Sequence, residues 1–132
     1  LGDVYKRQII GSSFFFVGSM FFAGVGFTPY DVFFDLHVFF ALNSFRLMIP
    51  ASLIYLIVFL RSSLGIRYIS VIASFLFLVT GYVIYLNFGE NPLSNKEAMI
   101  TSATIQKFIA LMSVATVFSL SFGFSKRINQ SQ

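Results

Sequence analysis

Asp31, Asp35, His37, Asn43 and Arg46 stand close together in the stretch TPYDVFFDLHVFFALNSFRLMIP, residues 28–50. Such a set offers two kinds of chemistry. A guanidinium beside an amide can hold an anion. A carboxylate near an imidazole can hand over a proton, because histidine titrates near neutrality. Gln106 and Lys107 add a second amide and an ammonium further along the chain. The set is short of ligands for a metal, since the chain has no cysteine and a single histidine. That histidine cannot ligate a haem in pairs, so no cofactor is assigned. No G-x-S-x-G, H-E-x-x-H or Gly-rich phosphate loop occurs, so no residue is assigned a catalytic role and the chain does not read as an enzyme.

The elements that must hold these groups are membrane helices. Hydrophobic residues make up 57% of the chain and charged residues 11%, against about 25% charged in a soluble domain. Mean hydropathy is +0.84. Four apolar runs, Ile9–Phe27, Val32–Leu60, Ile69–Phe88 and Ile105–Phe124, approach or pass the ~20 residues that cross ~30 Å of hydrocarbon. They are continuous rather than alternating, which excludes a barrel. The chain is read as an all-α, polytopic transmembrane helix bundle with spans at about 9–27, 38–60, 69–88 and 105–124, forming one domain over 9–125. Residues 126–132 are a polar tail. The net charge of +4 is scattered at run ends and makes no nucleic-acid patch.

Residues 1–8, LGDVYKRQ, differ sharply in composition from the first apolar run and are treated as a non-native leader. Pro29 ends that run and Asp31 is placed to cap the next helix. RSSLGIRY and GENPLSNKEA form the later joints. Arg61 and Arg67 flank the middle loop, and Lys126 and Arg127 come after the last run; the other two loops are acidic. By the positive-inside rule, loop 61–68 and the C-terminus face the cytoplasm. Asn129-Gln130-Ser131, a glycosylation acceptor by sequence, then lies on the side where it receives no sugar. Small residues at Gly18, Ser19, Ala23, Gly24 and Gly26 (with Ser19-x-x-x-Ala23 as a contact pattern), at Ser70/Ser74 with Gly81, and at Ser119/Gly123 are read as packing surfaces. The abundant Phe is read as lipid-facing bulk.

Val32–Leu60 would span roughly 43 Å as a helix, so its first part, Asp31 to His37, is placed in the outer headgroup zone. At 100° per residue Asp35 and Arg46 fall on one stripe, about 16 Å apart along the axis, with Asp31 and Asn43 on its flanks. His37 points almost the opposite way. Arg46 lies near mid-bilayer, where a charge costs roughly 2.5–3.5 kcal/mol, and no acid is placed at its depth. Lys107 reads as a snorkelling anchor, or, with Gln106, as a lid over the Asp31–His37 turn.

Gly24-Val25-Gly26-Phe27-Thr28-Pro29-Tyr30-Asp31, then His37, Ala41 and Phe45, resembles the central motif of a prokaryotic membrane family, domain of unknown function 998. Gln106-Lys107 is similar to the Gln-Arg that opens that family's last helix. The DRAM-like membrane proteins share a comparable turn and histidine. The resemblance implies about six spans, with this chain as the C-terminal part, a prokaryotic plasma membrane, and a structural turn at Gly26 and Pro29. It implies no activity.

Three functions compete. The first is a non-enzymatic protein holding an anionic lipid or small anionic ligand in an outward pocket of Asp31, Asp35, His37, Asn43, Arg46, Gln106 and Lys107. The second is a proton- or ion-coupled transporter using Asp35 and His37. The third is a structural or assembly subunit. Membrane lipids are partners in each, and a homo-oligomer or another membrane subunit in the third.

Overall fold

A computed structural model describes residues 2–62 and 65–130, with the side chains of residues 4, 124 and 126–130 excepted. Parts of the leader, the middle loop and the tail, at residues 1, 63–64 and 131–132, lie outside the described residues, as does the acceptor Ser131. Four helices succeed one another: α1 (Gly2–Phe27), α2 (Phe34–Leu60), α3 (Ile66–Phe88) and α4 (Lys96–Gln130). Within them Tyr5–Phe27, Phe34–Leu60, Ile66–Phe88 and Lys96–Gly123 are long and apolar enough to cross a membrane. The protein is an all-helical, multi-pass integral membrane protein. It divides into two compact units, Leu1–Val58 and Phe59–Gln132.

In the first unit α1 and α2 run antiparallel along a glycine seam. A Cβ at Gly11 would stand 3.1 Å from Ile54 and the Tyr55 ring, and one at Gly24 would stand 2.8 Å from the Phe40 ring. Gly18 faces Leu47 between them. Glycine is used here for close backbone approach, which larger residues would prevent. Of the small residues read as a packing surface on this helix, Gly18 and Gly24 lie on the seam, whereas Ser19 and Ala23 are exposed. A side-chain clasp, Ser12 Oγ to Tyr55 Oη at 2.5 Å, and the Phe15–Tyr55 ring pair reinforce it. Phe21 packs against Phe39 and Phe40 nearer the turn. Phenylalanine is therefore partly structural. Phe45, Phe59 and Phe75 are buried, whereas Phe27, Phe77 and Phe88 are exposed.

The second unit joins α3 and α4. Ile72, Phe75, Val79 and Tyr82 form the buried stripe of α3 at helical spacing. Gly123 is buried, and a Cβ there would meet the Tyr68 ring at 3.1 Å. Ser70, Ser74 and Gly81 are exposed and take no part in the contact between α3 and α4. Helix α4 begins at Lys96, well before the apolar run, because Asn95 caps it. The Asn95 side-chain oxygen accepts the Ala98 N–H at 2.8 Å. Glu97 in the first turn suits the positive end of the helix dipole. At the other end of the chain, Gly2–Gln8 continues α1 as helix.

The seam makes α1 sensitive at one face. Gly24→Leu drives a side chain into Phe40, and overpacking of this kind costs about 1–3 kcal/mol. Thermal unfolding in detergent, monitored by circular dichroism, should show a clear loss for Gly24→Leu and Gly11→Leu. Ser19→Leu, on the exposed side, should unfold at the parent temperature.

Candidate functional site

The chain between α1 and α2 is a tight turn. The Pro29 carbonyl accepts the N–H of Val32 at 3.1 Å and of Phe33 at 2.9 Å. Proline suits this place because its own missing N–H closes no helical bond. Helix α2 then starts at Phe34, with the Phe33 carbonyl receiving the His37 N–H. Asp31 therefore sits in the turn and is not the helix cap that its type suggested. Gly26 belongs to the last turn of α1, has ordinary backbone angles and meets nothing with an added Cβ. Pro29, not Gly26, makes the turn.

His37 locks this turn. Its Nδ1 lies 2.6 Å from the Thr28 carbonyl oxygen, an atom that can only accept, so Nδ1 carries a hydrogen. The Thr28 hydroxyl donates back to the Gly24 carbonyl at 2.8 Å. Tyr30 packs edge-on against both Phe34 and His37. The imidazole thus ties the last turn of α1 to the first turn of α2. It is half-buried, while Asp31 and Asp35 are exposed. Asp35 and His37 are two positions apart on α2, about 200° around the helix, and share no hydrogen bond among the described residues.

Arg46 is exposed on α2. It makes no hydrogen bond or ion pair among the described residues. Asn43, one turn before it, donates to the Phe39 carbonyl at 2.8 Å, so its amide is returned to its own helix rather than to Arg46. The face that carries Arg46 also carries exposed Asp35, Phe39 and Leu53. Pro50 stands inside the helix. Having no N–H, it cannot bond the carbonyl four residues back, which is that of Arg46 itself. The acids of the chain are Asp3, Asp31, Asp35, Glu90 and Glu97. Each lies in a first helical turn, a tight turn or a loop, and none in the middle of a helix.

Gln106 and Lys107 belong to the second unit. Gln106 donates to the Tyr82 hydroxyl at 2.8 Å, and that hydroxyl is 2.9 Å from Ser102 Oγ. With Gln106 donating, the phenol hydrogen is free to go to Ser102. This trio pins α3 to α4 and was missed by sequence reasoning, which took Tyr82 as part of an apolar run. Lys107, one position on, is exposed. A surface hollow of about 560 Å³ lies along α1, lined by Tyr5, Gln8, Ser12 and Phe16 among others, and includes none of the candidate binding residues.

No family model, curated protein or solved structure matches the chain.

The protein's single histidine makes the turn directly observable. In ¹⁵N-histidine-labelled protein, at a pH where the ring is neutral, His37 should show a protonated Nδ1 and an unprotonated Nε2. With the Thr28 carbonyl labelled, its ¹³C shift should be that of a hydrogen-bonded carbonyl. The opposite tautomer would break the turn lock.

Proposed function

We propose that this protein is a non-enzymatic integral membrane protein that binds an anionic group, supplied from outside the chain, at Arg46. One observation carries the reading: a guanidinium stands exposed at the middle of a membrane helix with no counter-charge among the described residues. Ionisable residues within spans nearly always face a bundle interior or a cavity and are paired. Arginine stays charged under practical conditions, so the pairing cannot be avoided by losing a proton. Asn43 and Gln106 each spend one amide N–H on Phe39 and Tyr82 and neither carries charge, so the positive charge that holds the anion in the span of α2 is that of Arg46. The expected orientation, with loop 61–68 and the C-terminus cytoplasmic in a prokaryotic plasma membrane, rests on the placement of Lys and Arg and accompanies the proposal.

A transporter built on Asp35 and His37 has less support. The imidazole already spends Nδ1 on Thr28, and the carboxylate lies on another side of the helix. The resemblance to domain of unknown function 998 is compatible with the proposed reading and adds no activity to it.

Purified without any other anion, the protein should draw anionic lipid toward Arg46. When it is extracted from membranes containing phosphatidylglycerol, bound lipid counted by native mass spectrometry should fall in Arg46→Met and persist in Arg46→Lys. Equal retention in parent and Arg46→Met would rule out a lipid headgroup as that anion, and would remove the proposal if no other anionic group binds in an Arg46-dependent way.

A further inference from the structure

The anion can be placed more narrowly, and this step rests on the anion-binding role of Arg46. We infer that the Arg46 face of α2 docks a transmembrane helix from outside these 132 residues that carries a carboxylate at mid-depth. Depth is the first reason. Arg46 is twelve positions from Phe34 and fourteen from Leu60, or about 18 Å and 21 Å along the axis. An arginine stem is much shorter than either distance, so its head reaches a headgroup only if the bilayer thins around it. A group already at that depth meets it without such distortion.

The shape of the face is the second reason. Phe39, Arg46 and Leu53, all exposed although one edge of the Phe39 ring also meets Phe21 of α1, recur at seven-residue intervals, the spacing that keeps one seam turned toward a neighbouring helix. A large apolar residue thus flanks the charge two turns away on either side, and Asp35 closes the outer end of the same stripe. That is the pattern of a helix contact with one polar pin. A second copy in the same orientation fits poorly. Two-fold pairing through this stripe would bring Arg46 against Arg46 at equal depth, and like charges facing each other repel. The chain's own acids lie at helix starts, turns and loops. A partner of opposite charge is what the face calls for.

The probe is a synthetic Leu/Ala transmembrane helix bearing one central Asp, with Asn- and Ala-centred versions as controls. The full-length labelled protein is reconstituted with each peptide at high dilution in phosphatidylcholine vesicles, and association is read by energy transfer. The Asp peptide should associate about tenfold more strongly than the Ala peptide, within the range of polar contacts between membrane helices. Arg46→Met should abolish that preference. Arg46→Asp should transfer it to a Lys-centred peptide, which keeps the test decisive even if Arg46→Met folds badly. Equal association of the Asp and Ala peptides would overturn the inference, as would association between two copies of the protein that is untouched by Arg46→Met. If the peptides are not distinguished while Arg46→Met still sheds phosphatidylglycerol, the anion is a headgroup and only this inference falls. If lipid retention is also unchanged, both fall.

Discussion

Hydrocarbon offers no water to hydrogen-bond, so each polar group in a span must find its partner within protein. Most of the side chains here obey by the shortest route. Ser13, Ser19, Thr104, Thr116 and Ser121 return their hydroxyl hydrogens to the carbonyl four residues back. Asn43 and Asn87 do the same with their amides. Such bonds cost the helix little and leave its outer surface apolar. The groups that do not close on their own helix instead join elements: Ser12 with Tyr55, His37 with Thr28, and Gln106 and Ser102 with Tyr82. The tertiary hydrogen bonds of each unit are thus set by which polar groups local bonding leaves over.

Ser44 and Ser52 depart from this pattern. Both hydroxyls are buried on α2 and have no hydrogen-bond partner among the described residues. An unpaired buried hydroxyl costs about 1–3 kcal/mol. Arg46 departs from it in the opposite sense, exposed and without a partner among the described residues. Helix α2 therefore holds unmatched polarity on two sides, while in the span of α1 Ser13 and Ser19 close on their own helix and Ser12 bonds to Tyr55.

The four spans were legible from hydrophobicity because length and apolar content are summed over many residues, and errors at single positions do not matter. The ends were less so. The segment Ala98–Gln106 is rich in Ser and Thr, which hides a helix from a hydropathy reading; Asn95, which caps α4, lies within the stretch read whole as a joint, so the start at Lys96 was missed. Packing faces were the least legible. Of the small residues read as packing on α1, the seam uses Gly18 and Gly24, adds Gly11 and leaves out Ser19 and Ala23, a choice made by where Ile54, Leu47 and Phe40 of the partner helix come. No rule confined to one helix contains that information. The Tyr82–Ser102 contact fails for the same reason, since its halves lie on helices separated by a loop. Of the candidate site, the residue types and the anomaly of Arg46 could be read directly, and the angular separation of Asp35 from His37 came from helical periodicity. The commitment of His37 to Thr28 could not be read, because it depends on how tightly the Pro29 turn folds back.

Pro50 sharpens what Arg46 implies. Its position four residues after Arg46 removes the amide that would have closed on the Arg46 carbonyl, so one residue presents both an uncompensated cation and a backbone acceptor without its helical donor. In water either defect would be solvated at once. In a bilayer they are satisfied by protein, by water held in a protein-lined cavity, or by a local disturbance of the lipid. Helix α2 runs on through Pro50, so the freed carbonyl stays at the depth of the charge. The charge and the unmatched acceptor thus coincide on a helix whose other face is already buried. A helix built to stand alone in lipid would carry neither on its exposed side; a helix whose second face is completed by another molecule can carry both.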